Sequence, residues 1–342
     1  MVTGCGSAGI PGSAALAGSA SAGTEAYVCN FGYDDQPGMT IVALDLATGR
    51  RTGSVTTGSL PSAVATTPDG RLLLVTDQGD DNLAVLDTAT DSVLARIPTG
   101  VEPDAVAVSP DGKLALVANI DDDTVTPVDL TTLRAGRPIA VGARPDAVAI
   151  GGPAGRTALV ADLKANAVTP VDLATDAAGP PIAVGAEPDA VAIGGPAGLT
   201  ALVANLGSGT VTPIDLTTLR PAPAIAVGIG PTALALAGGS GGLGGSGPAV
   251  GSGPAVGSGA ATAWVTAGQD LVPLNLAAAT AGTPIAVGHL AEAVAVDRAG
   301  RTAWVAGQDA TVTPVDLATR TPGRSIPVGG RPEAIVIPPP RR

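Results

Sequence analysis

Apolar residues in this chain arrive in short bunches separated by turn-forming residues, with no stretch showing the three-to-four-residue spacing of an amphipathic helix. Between Pro103 and Val141, which read PDAVAVSPDGKLALVANIDDDTVTPVDLTTLRAGRPIAV, four bunches follow one another: Ala105 to Val108, Leu114 to Ala118, Thr124 to Asp129 and Pro138 to Val141. Runs this short and rich in Val and Ile predict strands. The Pro110-Asp111-Gly112 that separates the first two carries an Asp-Gly pair suited to a tight turn with positive φ. The bunches are nearly continuous in place of alternating, so both faces of each sheet are expected to be covered.

The same four-strand unit returns about every forty residues. Its opening proline recurs as Pro61, Pro103, Pro145, Pro188 and Pro231, becomes Ala291 in a degenerate copy, and ends as Pro332. A period in this range with four strands per copy is the signature of a propeller. The first copy begins late, at Ala26 to Asn30, which match a second strand. The last breaks off at Glu333 to Ile337, which match a first. The expectation is an all-β, seven-bladed propeller of four-stranded antiparallel sheets, closed by the C-terminal strand as the innermost strand of blade 1. Residues 24–338 form the propeller, 1–23 a Gly/Ala/Ser-rich tether, 238–260 a low-complexity loop insertion containing GSGPAV twice, and 339–342 a tail.

The ends of the second strands, Tyr27-Val28-Cys29-Asn30, Leu116-Val117-Ala118-Asn119 and Leu202-Val203-Ala204-Asn205, together with the Pro-Asp-Gly turns and the following Val-Asp-Leu-x-Thr, resemble the YVTN-repeat, or YncE-like, β-propeller family. Gly307 and Ala267 depart from its asparagine. The resemblance implies the fold. For function it leaves several classes open, because similar propellers include surface-layer modules, periplasmic binding proteins and a few enzymes.

Prolines at 127, 170, 213, 273 and 314 fall in the middle of third strands, where proline removes a ladder donor. The expectation is that pairing with the fourth strand lapses there while pairing with the second continues.

The chain has 48 glycines, 31 prolines and only five aromatic residues, so its core is built from Ala, Val, Leu and Ile. A net charge of −12 argues against nucleic acid or an anionic membrane as partner, and no apolar run reaches the roughly 20 residues of a spanning helix. The expected partners are an unknown protein or a small cationic ligand, and the expected state is a monomer. Cys5, in Met1-Val2-Thr3-Gly4-Cys5, resembles the lipidation site at the end of a bacterial lipoprotein signal, though the basic and apolar regions that should precede it are missing. On that resemblance Cys5 is the candidate lipidation site and the protein is expected outside the cytoplasm, secreted or anchored at the cell surface.

In a propeller the fourth-to-first and second-to-third connections share one face beside the central channel. The residue after each opening proline therefore forms a ring: Glu333, Ser62, Asp104, Asp146, Asp189, Thr232, Glu292. A circle of carboxylates at a channel mouth suits a cationic ligand or a divalent cation. The plainer reading is that each carboxylate caps its own turn or pairs with a nearby arginine, Arg144 or Arg331. Phe31 and Tyr33, in the longest blade-1 loop, form a candidate contact patch or cover the joint where the last strand enters. His289, the single histidine, sits near Glu292. The two are the candidate catalytic pair of the alternative function, a lactonase or metal-assisted lyase at the channel mouth. The preferred function is a binding or scaffold module that uses the acidic face, with no cofactor required. Asp45, Asp87, Asp129, Asp172, Asp215 and Asp316 recur once per blade and are read as turn caps, and Trp264 and Trp304 as packing residues.

Overall fold

The computed structural model describes residues 25–31, 40–194, 198–236, 243–244 and 262–340. Cys5 and the 1–23 segment, Tyr33, and the 238–260 insertion apart from residues 243–244 lie outside the described residues.

Seven antiparallel sheets follow one another around a central axis, each running from an innermost first strand to an outer fourth. Blade 3 is representative, with Pro103–Val108, Leu114–Asn119 and Thr124–Asp129 followed by an outer strand in two pieces, Arg134–Ala135 and Ile139–Ala140. Every residue of Pro103–Val108 is buried, because the strand is flanked by the neighbouring blades' inner strands. Its small side chains alternate as Ala105, Val106, Ala107 and Val108, all fully buried. That alternation lets inner strands crowd around the axis without aromatic filler.

The C-terminal strand Pro332–Val336 joins Glu25–Asn30, pairing Val336 with Tyr27, Ile335 with Val28 and Ala334 with Cys29. It thereby supplies the innermost strand of blade 1, and the seven-bladed ring closes as expected.

The third-strand prolines act as expected as well. In blade 3 the second and third strands pair without a break, Pro127 opposite Leu116. The outer strand pairs only at the two ends, through Val128–Asp129 and through Thr124–Val125. The Pro127 carbonyl still finds a donor, the Gly136 N–H at 2.7 Å, and a Cβ on Gly136 would lie 3.1 Å from the Pro127 ring. Blades 1 and 2 are the internal control. Ala43 and Val85 stand where the other blades have proline, and their outer strands Arg50–Thr56 and Ser92–Pro98 are continuous. The split blade edges thus coincide with the third-strand proline, which cannot donate to the outer strand.

Within the 238–260 segment, Leu243–Gly244 pairs with Ala293–Val294 on the channel side of blade 7. Low complexity gave no sign of this pairing.

Deletion of the chain after Gly330 should abolish cooperative folding. It removes Ile335, Val336 and Ile337 from the core, at about 1.5–3 kcal/mol per buried side chain, and reopens the blade-1 sheet. A truncated protein with an unchanged thermal midpoint would refute this account of closure.

Candidate functional site

Each inner strand begins with the same irregularity. Pro103 lies opposite Asn119, but Ala105, two residues on, lies opposite the very next residue, Ala118. Asp104 is therefore an extra residue, a β-bulge. The same shift occurs at Glu333, Ser62, Asp146, Asp189, Thr232 and Glu292. A bulge re-aims one side chain and bends its strand. Repeated once per blade, it gathers these seven residues around the mouth of the channel.

The links before the bulges of blades 3 to 5 are held from both sides. Leu60, Glu102, Arg144 and Glu187 adopt left-handed backbone geometry, with φ of 51–57°. The N–H groups of Glu102, Arg144 and Glu187 are capped by side chains of the preceding blade's loop, Asp81 at 2.9 Å, Asp123 at 2.7 Å and Asn166 at 2.8 Å. Their carbonyls accept from the N–H groups of Ile120, Leu163 and Leu206. Asp122 caps the Val101 N–H and Asp80 that of Ser59. Many loop aspartates on this face are thus structural caps, and they make the mouth rigid.

The ring carboxylates themselves are buried, with 1–5% exposure for Asp104, Asp146, Asp189, Glu292 and Glu333. Desolvation pushes the Asp104 carboxyl well up from its ordinary value, reinforced by the negative charges of Asp146 and Glu333 and opposed by Arg144 and a hydrogen bond from Gln78. Burial likewise raises Glu333 to about 7, with Arg331 opposing and Glu292 and Asp146 adding repulsion. These carboxylates therefore lie within each other's field, as the ring geometry requires. Arg331 bridges two of them, 3.3 Å from Glu292 and 3.0 Å from Glu333, and Gln308 donates to Glu292. Arg331 pairs with Glu333 as foreseen. Arg144 also opposes the upward shift of Asp104 on the neighbouring blade. At the two uncharged positions the hydroxyls of Ser62 and Thr232 donate to the next blade, to Pro103 O and Ala291 O.

Phe31 is half-buried at the mouth, and its N–H donates to the Arg331 carbonyl at 2.8 Å, beside the closing strand. Among the described residues, no three His, Cys, Asp or Glu side chains stand close enough to hold a metal ion. Cys29 is fully buried and its thiol is pushed up by burial, then by Asp77, Glu333 and Asp104. Such a thiol is unreactive. The once-per-blade aspartates are turn caps: Asp215 accepts from the N–H groups of Thr217 and Thr218, and Asp316 from those of Ala318 and Thr319.

His289 is not a surface-loop residue. It is 7% exposed, and its Nε2 meets Thr313 Oγ1 at 3.0 Å. Blades 3 and 5 show what this contact replaces: Asn119 donates to Thr126, and Asn205 to Thr212, each at 2.9 Å. In blade 4 the geometry is kept by Asp162, which accepts from Thr169. Blade 7 has Gly307 at the asparagine position, and a Cβ there would lie 2.0 Å from His289 Nδ1. The imidazole occupies the space of the missing side chain and keeps its threonine bonded. In blade 6 both partners are apolar, Ala267 and Val272, so no bond is owed.

Burial pushes Asp162 up to about 6 and Asp77 up to about 7, against the lowering hydrogen bonds from Thr169 and Thr57. The folded protein therefore holds protons that the unfolded chain, with carboxyls near the usual value of about 4, has released. The stability from these groups is complete below about pH 4 and lost as pH rises through about 6 to 7.

A family model for YNCE-like beta-propellers matches residues 29–199. No curated protein matches the sequence. Among solved structures, a functionally unknown protein from Desulfotomaculum acetoxidans DSM 771 superposes with a TM-score of 0.76 at 14% identity, over 93% of this chain and 99% of that one. Hydrazine synthase of Kuenenia stuttgartiensis gives 0.65 at 19%, over 80% and 88%. Dihydro-heme d1 dehydrogenase NirN in complex with DHE gives 0.62 at 16%, over 92% and 75%. At these identities the likeness extends to the fold.

Two predictions follow from the strand-end hydrogen bonds. Asp162→Asn installs the residue that blades 3 and 5 carry, so it should raise the thermal midpoint at pH 8, by on the order of 1 kcal/mol or more, and flatten the stability–pH curve. A lower midpoint at pH 8 would contradict it. Gly307→Asn should destabilise by about 2–3 kcal/mol through overpacking, and His289→Ala by a similar amount, whereas the double variant should recover most of the loss by recreating the Asn–Thr bond. Additive losses in denaturant titration would refute the exchange.

Proposed function

Since the chain belongs to the YNCE-like β-propeller family, whose closed fold turns one residue per blade into a ring, we propose that it is an extracytoplasmic binding module that takes a cationic group at the acidic channel mouth. One observation carries this reading: five carboxylates on bulges of five inner strands are buried around a single mouth, where burial first and mutual repulsion second raise Asp104 and Glu333. Placing a positive charge among them relieves that repulsion. Arg331, lodged between Glu292 and Glu333, displays the chemistry that fits, a guanidinium on a flexible apolar stem.

Metal-ligand geometry is not what the described residues offer, so the favoured cation is an ammonium or guanidinium group. Binding rather than catalysis is supported because the seven positions are equivalent within the repeat, and Ser62, Asp104 and Thr232 bond to adjacent blades. His289 is bonded to Thr313, and Glu292 accepts from Gln308 and Arg331. Export is supported by the likeness of the Cys5 segment to a lipoprotein signal.

Titration calorimetry with spermidine at low salt tests the site. Binding should weaken steeply with added salt, strengthen from pH 6 to pH 8 as Glu333, with its value of about 7, ionises, and fall at least about tenfold in an Asp146→Asn, Asp189→Asn double variant. No heat at any salt concentration rejects the cation site. Recovery of the protein solely in the cytoplasmic fraction of cells rejects export.

A further inference from the structure

The mouth face is not uniform. Across blades 3 to 5 its links and bulges carry five carboxylates, Glu102, Asp104, Asp146, Glu187 and Asp189, against one guanidinium, Arg144. In blades 6 and 7 the positions of Glu102 and Glu187 are taken by Gly230 and Leu290, and that of the blade-6 carboxylate by Thr232. At this arc the most exposed large apolar side chain among the described residues appears, Ile229, at 89% exposure. Leu290 on the adjacent blade is 47% exposed.

Ile229 is presented by its backbone. It lies between Gly228, with φ of 119°, and Gly230, with φ of 60°. Val227, two residues before, is anchored by its N–H to the Gly209 carbonyl at 3.0 Å and is itself buried, and Pro231, two residues after, opens the paired inner strand of blade 6. The chain is therefore fixed on both sides of a side chain that points into water. A lone exposed apolar residue needs no explanation, but two on neighbouring blades, at an arc of the mouth where Gly230, Thr232 and Leu290 stand in place of carboxylates, make a mixed surface.

We propose that this face docks a protein segment bearing both basic and apolar side chains, whose apolar residues seat on Ile229 and Leu290 while its cations reach the Asp104–Asp146–Asp189 arc. The inference rests on the reading of the mouth as a cation-binding face and adds the partner class. Charge complementarity selects this occupant. A second copy would bring acidic face against acidic face, and an anionic bilayer surface would be repelled by the same carboxylates.

The test uses two peptides of about ten residues with equal charge, one alternating lysine with leucine and the other lysine with serine, each titrated by fluorescence anisotropy. The lysine–leucine peptide should bind at least about tenfold more tightly. An Ile229→Ser, Leu290→Ser variant should lose that preference and keep its affinity for the lysine–serine peptide. Both side chains are exposed, so the variant should retain the wild-type thermal midpoint. Equal affinity of the wild type for both peptides overturns the docking surface and leaves the acidic mouth standing, whereas failure of both peptides to bind overturns both readings. A wild-type dimer in sedimentation that the double variant dissolves assigns the surface to a second copy and overturns the proposal.

Discussion

Closure of the ring rests on the pairing of Pro332–Val336 with Glu25–Asn30, the seam at which the first and last parts of the chain meet. Six of the seven blades take their four strands from consecutive chain. Blade 1 borrows its innermost strand from the far end. Without that strand two inner faces would be bare and the carboxylate ring would lack Glu333. The seam also brings Arg331 to the mouth, where it ties Glu333 to Glu292 on blade 7. Fold closure and site assembly are therefore the same event.

What closure assembles is defined by a backbone device. The bulge after each opening proline spends one unpaired residue per blade to aim a side chain at the axis. The left-handed links before the bulges are strained positions for non-glycine residues, and aspartate or asparagine caps from the preceding blade hold them. Acidic loop residues thus serve two purposes on this face. Some, such as Asp81 and Asp123, cap the backbone. Others, such as Asp104 and Glu333, are bulge residues whose charge is destabilised by burial.

The strand-end position shows how a repeat tolerates exceptions. Asparagine, aspartate, a glycine filled by a histidine from the adjacent link, and an alanine in a blade whose third strand has valine for threonine all solve one local problem: a buried threonine on the third strand must be bonded or absent. Aspartate is the least comfortable solution at neutral pH, since it buries a charge, and this is why Asp162 and Asp77 are pushed upward. Glycine with histidine keeps the bond, and explains why the single histidine of the chain stands where it does.

Blade number, closure by the C-terminal strand, the interrupted outer strands and the composition of the mouth ring were legible in the chain alone, because each follows from position within a repeat. A proline without a donor, a half-copy at either end and a residue one place after a proline have the same meaning in every blade. The exceptions needed tertiary structure. That His289 replaces an asparagine depends on the distance between a link and a strand end 18 residues later, which no periodicity encodes. That Arg144 bears on Asp104, that Gln78 donates to Asp104, and that Leu243–Gly244 lies along blade 7 depend on how neighbouring blades approach each other. Repeats specify what each blade is. Only the packed ring decides which side chains of different blades share one desolvated space, and that sharing sets the charge of the mouth.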